Sequence, residues 1–206
     1  MRLCLEIDAH RVTLANVMSI EHPIFKSTVA AIAVIVTLCL PVSAQNADLT
    51  DETVLLEQLA VANEAQAQRL GRQLQAIWGK SGSASMDLLL KRGRDALEVG
   101  DIAAAIEHLT ALTDHAPDFA EGYSVRARAY FAADLLGPAL LDLETTLALN
   151  PNNYNAILGL AAILETFGDE KRAYEAYTRV QAIHPHHEAA TDALERLGPR
   201  VMGKTL

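Results

Sequence analysis

The sequence predicts an all-α protein, an α-solenoid of helix–turn–helix repeats that ends in a C-terminal cap helix. The first observation behind this prediction is a period, because Pro117, Pro151 and Pro185 are spaced 34 residues apart. The second is the apolar pattern between these prolines, which recurs three and four residues apart as in an amphipathic helix. A fixed period of about 20–50 residues is typical of repeat architectures. Half of the residues are hydrophobic, so the repeats can share a continuous core.

The charge balance argues against one class of partner. The chain carries 17 Lys and Arg residues against 26 Asp and Glu residues, which gives a formal net charge of −9. Proteins that bind nucleic acid draw much of their affinity from a surplus of basic side chains that face phosphates. We therefore expect no nucleic-acid partner.

The first 44 residues are predicted to be a signal peptide. Residues 29–40 form an uncharged apolar run that follows Lys26 and precedes the small-residue sequence Val42-Ser43-Ala44. A membrane-spanning helix needs about 20 apolar residues, so this run is short for one, whereas its length and flanks are typical of a secretory signal. We expect cleavage after Ala44 and an exported, periplasmic protein. An uncleaved leader that anchors the chain to the membrane is the alternative.

The leader also contains features that bear on the start of translation and on thiol chemistry. Glu6 and Asp8 do not fit the short basic region that begins a signal peptide, so Met18 is a better candidate for the true start. Both cysteines, Cys4 and Cys39, lie in the leader. The chain after cleavage would therefore have no disulfide, no thiol nucleophile and no cysteine-based zinc site.

Residues 45–85 are predicted to form an N-terminal helical segment. One helix would contain Leu59, and Asn63 offers an N-cap for a second helix that ends near Trp78. On the 34-residue frame these helices would form a degenerate repeat at residues 52–85. The alternative is a single long helix that pairs with a second copy as a coiled-coil dimer. In either arrangement Trp78 is interpreted as a packing anchor.

Three aligned units follow, at residues 86–119, 120–153 and 154–187. Each unit carries small residues at two fixed places, where its two helices are expected to approach closely. These residues are Gly93, Ala127 and Ala161 in the first helices and Ala105, Ala139 and Ala173 in the second helices. This pattern resembles that of the tetratricopeptide repeat family, whose signature is a helix–turn–helix of the same period. Arg92 and Arg126 depart from it, since the family usually has Leu at that position.

Local signals divide each unit into its helices. Gly100 and Gly168 are suited to end a first helix in the left-handed conformation, and the Asp after each glycine can cap the second helix. Residues 188–206 continue as a cap helix and a tail, because the last repeat must cover its apolar face. We expect Gly198 and Pro199 to end that helix.

The resemblance implies a non-catalytic protein–protein interaction module, in which the first helix of each unit lines a concave groove. A protein or peptide would bind there, with apolar side chains along the groove and arginines that pair with carboxylates. The Lys and Asn clamp with which some members of the family grip a terminal carboxylate is mostly absent here. Alternatively, the two arginines simply balance Glu121 and Asp87. The predicted groove residues are Leu90, Arg94, Leu97, Ser124, Arg128, Phe131, Asn155 and Leu158.

We identify no catalytic set and expect no cofactor or metal. The cluster His184-Pro185-His186-His187 could collect a transition metal, but Pro185 belongs to the repeat period, and a solvated turn is the preferred interpretation. The other functional hypothesis is a structural or assembly subunit that self-associates through the N-terminal helix. The sequence specifies neither the oligomeric state nor the partner.

Overall fold

The computed structural model describes residues 45–203, with side chains from residue 51 onward. The predicted signal peptide and its cleavage site lie outside this part of the chain. No helix within it is long and apolar enough to cross a membrane. Its nine helices are α1 (Gln45–Ala60), α2 (Glu64–Trp78), α3 (Ala84–Glu98), α4 (Ile102–His115), α5 (Ala120–Ala132), α6 (Leu136–Leu149), α7 (Tyr154–Thr166), α8 (Glu170–Ile183) and α9 (Glu188–Met202).

Helices α3 to α8 form three helix pairs, one in each predicted unit. Within each pair the two helices pack on each other, and each second helix also packs on the first helix of the next pair. This arrangement is an all-α solenoid of tetratricopeptide type, so the predicted fold class is confirmed.

The turns inside the pairs follow the predicted glycine signal twice and depart from it once. Gly100 and Gly168 have φ values of 77° and 78°, whereas the second pair reaches the same left-handed conformation with Asp134, at φ 58°. The second helices of the first and third pairs, α4 and α8, are capped by Asp101 and Asp169. The carboxylates of these residues accept hydrogen bonds from backbone N–H groups. Helix α6 has no such side-chain cap, because Leu135 occupies its N-cap position.

Small residues at the helix crossings explain why the pairs pack tightly. A Cβ atom at Gly93 would lie 2.5 Å from the side chain of Leu109, so α3 and α4 approach more closely there than any larger residue allows. Ala105, Ala139 and Ala173 are fully buried at the corresponding place in the second helices. The close contacts predicted from the repeat pattern are therefore present.

The N-terminal segment is a pair of helices, and we call α1 and α2 together the N-terminal hairpin. The break lies at residues 61–63, where Asn63 and Gln66 each accept a hydrogen bond from the other's backbone N–H, at 3.0 and 3.2 Å. This reciprocal cap starts α2 and interrupts the helical path. The single long helix considered from the sequence is therefore wrong.

The N-terminal hairpin packs on the third repeat. Leu59, Leu74 and Trp78 belong to the same buried cluster as Tyr154 and Val180, and α1 contacts α8. The buried cluster of the first repeat, by contrast, is built from side chains between residues 86 and 129. The N-terminal hairpin is therefore not a degenerate repeat stacked ahead of the first unit.

Helix α9 covers the last pair, as the cap helix was expected to do. Ala190, Ala193 and Leu197 are buried against the third repeat. The predicted end at Gly198 is wrong, because the helix continues through Pro199 to Met202. A proline removes one backbone hydrogen bond from a helix. Because Pro199 lies near the C-terminus of α9, this loss affects only the last turn of that helix.

Candidate functional site: the concave groove

The groove is lined by α3, α5 and α7, with Gln75 of the N-terminal hairpin at its edge. It encloses about 740 Å³. A smaller cavity of about 210 Å³, between α5 and α7, adjoins it and includes Phe131. Six predicted residues line the main groove, namely Arg94, Leu97, Ser124, Arg128, Asn155 and Leu158.

Leu90 is the one predicted groove residue that lines neither the groove nor the smaller cavity. Its side chain is 1% exposed and lies in the core of the first repeat with Leu109, Leu112 and Val125. The same place in the next two repeats is held by Ser124 and Leu158, which do reach the groove. Because the Leu90 side chain is buried in this core, the prediction for Leu90 is wrong.

Arg94 is engaged within the protein. It donates a charge-assisted hydrogen bond to Glu121, whose side chain is buried at the start of α5. Burial raises the pKa of Glu121, although Arg94 acts in the opposite direction. The alternative interpretation, in which Arg94 balances Glu121, is what the structure shows. Asp87 instead accepts hydrogen bonds from the backbone and hydroxyl of Ser81, at 2.8 and 2.6 Å.

Arg128 lies one repeat further along the chain and has a different environment. Its side chain is exposed, and it forms none of the salt bridges found in residues 51–203. It lines both the main groove and the smaller cavity. A guanidinium in this position is available for bidentate contact with a carboxylate.

The smaller cavity, which we call the anchor pocket, has mostly apolar walls. A Cβ atom at Gly159 would lie 3.3 Å from Leu143, so the glycine lets α7 pack closely on Leu143 at the wall of this pocket. The sequence prediction missed this pocket. A glycine inside a helix costs about 1 kcal/mol relative to alanine, and that cost is the signal that could have revealed it. The lining residues are Ser124, Ala127, Arg128, Phe131, Leu143, Asn155, Gly159, Ala162 and Ile163.

Arg126, which departs from the repeat pattern, has a structural role. Its guanidinium donates to both carboxylate oxygens of Asp142, at 2.7 and 2.8 Å, and to the Thr113 hydroxyl at 2.6 Å. The rings of Tyr123 and Tyr130 flank it, with centroids 5.4 and 5.7 Å away. Through these hydrogen bonds Arg126 of α5 joins Thr113 of α4 and Asp142 of α6, so it stabilises the packing of the three helices.

The histidine cluster is not a solvated turn, so that prediction is wrong. His184 is 8% exposed, and its ring lies 5.3 Å from that of His187 and 5.3 Å from that of Tyr154. The Nδ1 atoms of both histidines are buried without a hydrogen-bond partner among the described residues. His186 is exposed. The described residues contain no group of three side chains placed to hold a metal ion.

Comparison with known proteins agrees with this architecture. Residues 90–139 match the profile of the family described as Tetratricopeptide repeat. A TPR repeat-containing protein of Rhizobium etli is 28% identical over 137 residues, which cover 66% of this chain and 67% of that protein. The human protein SGT1 homolog is 32% identical over 102 residues, 45% of this chain and only 28% of its own length.

A solved structure supports the fold in the same way. The first TPR domain of Spaghetti (RPAP3), bound to an HSP90 peptide, superposes with a TM-score of 0.56 at 24% identity, over 58% of this chain and 95% of that domain. At this identity the likeness concerns the fold. The sequence matches and this structural likeness are both to proteins with tetratricopeptide repeats.

Proposed function

We propose that this protein is a non-catalytic interaction module that binds a segment of a partner protein in the concave groove. The observation that carries this proposal is the placement of Arg128, an exposed cation beside the anchor pocket that forms no salt bridge within residues 51–203. Repeat solenoids present extended concave surfaces on a rigid frame, so such a surface binds a ligand without first ordering a loop.

The two neighbouring features define the expected ligand. The anchor pocket, walled by Phe131, Leu143 and Ile163, suits one apolar side chain. Arg128 at its edge suits an Asp or Glu close to that side chain. A hydrogen bond to a charged group contributes about 1.5–3 kcal/mol. The ligand is therefore an extended segment that combines apolar and acidic residues, despite the net charge of −9 of the protein.

The alternative function, self-association through the N-terminal helix, has less support. Leu59 and Leu74 are fully buried within the chain, where they pack with residues of the third repeat. Their apolar surface is thus occupied by the chain itself, and a dimer formed through it would require the N-terminal hairpin to leave the third repeat.

We also propose that the protein is exported, on the basis of the apolar run and the Val42-Ser43-Ala44 sequence. Processing after Ala44 would give an N-terminus that reads Gln-Asn-Ala-Asp, which N-terminal sequencing of the protein from the producing cells would detect. An intact leader on that material would favour the anchored alternative.

The groove hypothesis can be tested with a displayed library of random 12-residue peptides selected on the purified protein. We expect the selected peptides to be enriched in Asp and Glu next to Leu, Ile, Met or Phe. Arg128→Glu should reverse the charge preference towards Lys and Arg and weaken the original peptides about tenfold or more. Arg92→Glu is the matched control, since Arg92 is exposed on α3 and lines neither cavity. Equal effects of the two substitutions would contradict a role for the groove.

A further inference from the structure

The contact between the N-terminal hairpin and the third repeat contains two histidines that the proposed binding site does not use. His184 ends α8 and His187 precedes α9. Both are packed with Tyr154, the first residue of α7. Tyr154 in turn contacts the ring of Trp78 in α2, with centroids 5.3 Å apart. The two imidazoles therefore lie beneath the hairpin and belong to the same aromatic contact.

The approach of α2 to this cluster is close. A Cβ atom at Gly71 would lie 3.2 Å from the Tyr154 hydroxyl and 3.7 Å from Nε2 of His184. Gln75, one turn further along α2, lowers the pKa of the Tyr154 hydroxyl, against the larger raising effect of burial. Such a contact leaves little space for the water that a protonated imidazole would need, and burying an unpaired charge is costly.

No anionic partner for the two imidazoles is present in residues 51–203, since neither His184 nor His187 forms a salt bridge there. In addition to burial, the neighbouring imidazoles of His187 and His186 both lower the pKa of His184. The exposed Glu188 starts α9 and forms no salt bridge with either ring. Glu121 acts electrostatically on Tyr154 but is bound to Arg94.

Charged side chains on the other packed helices are engaged elsewhere or exposed. Glu52 of α1 accepts a hydrogen bond from Trp78 at 2.8 Å, and Arg179 of α8 donates to the Pro151 carbonyl. Arg69 and Arg72 of α2 are exposed and carry the same sign as a protonated imidazole. None of these groups would stabilise a charge on the buried rings.

We propose that the N-terminal hairpin is a pH-sensitive clasp, docked on the third repeat while His184 and His187 are neutral and released when they are protonated. The hairpin also forms one edge of the groove, because Gln75 lines it. In addition, Gly79, which follows α2, lies against Arg94, since a Cβ there would be 3.2 Å from Nη1 of Arg94. Release of the clasp therefore widens the groove on the side of Arg94.

The direction of the pH effect follows from the environment of the rings. Burial lowers the pKa of both His184 and His187 below the ordinary value of 6.5. A lowered pKa in the docked state means that docking is fully stabilised above about pH 6.5 and loses stability as the pH falls through the lowered pKa. Each pKa unit corresponds to about a tenfold change in the docking equilibrium.

The fluorescence of Trp78 offers a direct test, because it is the single tryptophan of the chain and lies in the contact itself. On titration of the purified protein from pH 7.5 to pH 5, we expect acrylamide quenching of Trp78 to rise several-fold with a midpoint below about 6.5. The far-UV circular dichroism of the repeats should change little over this range. A quenching constant that stays flat while the protein remains helical would overturn the proposal.

Variants identify the titrating groups. His184→Phe combined with His187→Phe keeps two rings in the contact and should abolish the transition, whereas His186→Gln, at the exposed histidine, should leave it unchanged. If the double variant does not fold, as shown by circular dichroism at pH 7.5, His187→Phe alone should reduce the transition. A transition that persists in the folded variants contradicts the clasp, and this outcome is independent of whether the groove binds acidic peptides.

Discussion

The repeat stack and the N-terminal hairpin are both helical pairs packed through apolar side chains, yet different contacts hold them. In the stack, small residues such as Gly93 and Ala139 recur at a fixed period and let helices cross closely. In the hairpin, single aromatic side chains meet across the contact, with Trp78 against Tyr154. The stack is therefore fixed by a pattern repeated along the chain, and the docking of the hairpin by a few individual residues.

The contact at Ala139 gives the largest expected effect and tests the stack. Ala139 is fully buried at the crossing of α5 and α6, so Ala139→Arg forces a long charged side chain into a packed site. We expect a loss of about 4 kcal/mol in the free energy of unfolding, measured by urea denaturation. Ala182→Arg on the exposed face of α8 is the matched control and should change it by less than about 0.5 kcal/mol. Similar losses for both would contradict the repeat register.

Trp78 tests the other side of the comparison. Trp78→Ala removes the ring that contacts Tyr154 and should cost about 3 kcal/mol, but this loss falls on hairpin docking. We expect faster amide exchange in α1 and α2, measured by hydrogen–deuterium exchange with mass spectrometry, while α4 to α6 keep their protection.

Trp78→Phe is the control for this second prediction. It keeps an aromatic ring and removes the hydrogen bond from Trp78 to Glu52, so it should cost about 1 kcal/mol. Equal loss of protection in the stack and in the hairpin would show that the two regions unfold as one unit. It would contradict the view that different contacts hold them.

The same difference explains what the sequence could and could not predict. Positions such as Ala105 and Ala173 recur with the period, so their burial followed from the repeat alone. Leu90 also stands on the period, but its place in the core did not follow from the period, since Ser124 and Leu158 at the same place line the groove. The docking of the hairpin depends on contacts between Trp78 and Tyr154, which are far apart in the chain and follow no local pattern.

The anchor pocket and the buried histidines escaped prediction for a related reason. The pocket lies where Leu143 of α6 meets Gly159 of α7, and His184 is buried where Gly71 of α2 approaches its ring. In each case the environment of a residue is set by a helix from another part of the chain. Arg128, in contrast, could be placed in the groove from its position in the first helix of its unit.

The smallest expected effect concerns the one turn at which the stack departs from its own pattern. Asp134 holds the left-handed conformation that glycine holds at positions 100 and 168. This conformation costs a residue with a Cβ about 1 kcal/mol, so a glycine at position 134 would remove that cost. The greater freedom of glycine in the unfolded chain offsets part of the resulting stabilisation. We expect Asp134→Gly to raise the free energy of unfolding by about 0.5 kcal/mol, measured by urea denaturation. The reciprocal change Gly100→Asp should lower it by a similar amount, because it places a Cβ in the same conformation one repeat earlier. If both substitutions destabilise the protein, the Asp134 side chain supports its turn by an interaction of its own, and the repeats differ there by more than a glycine.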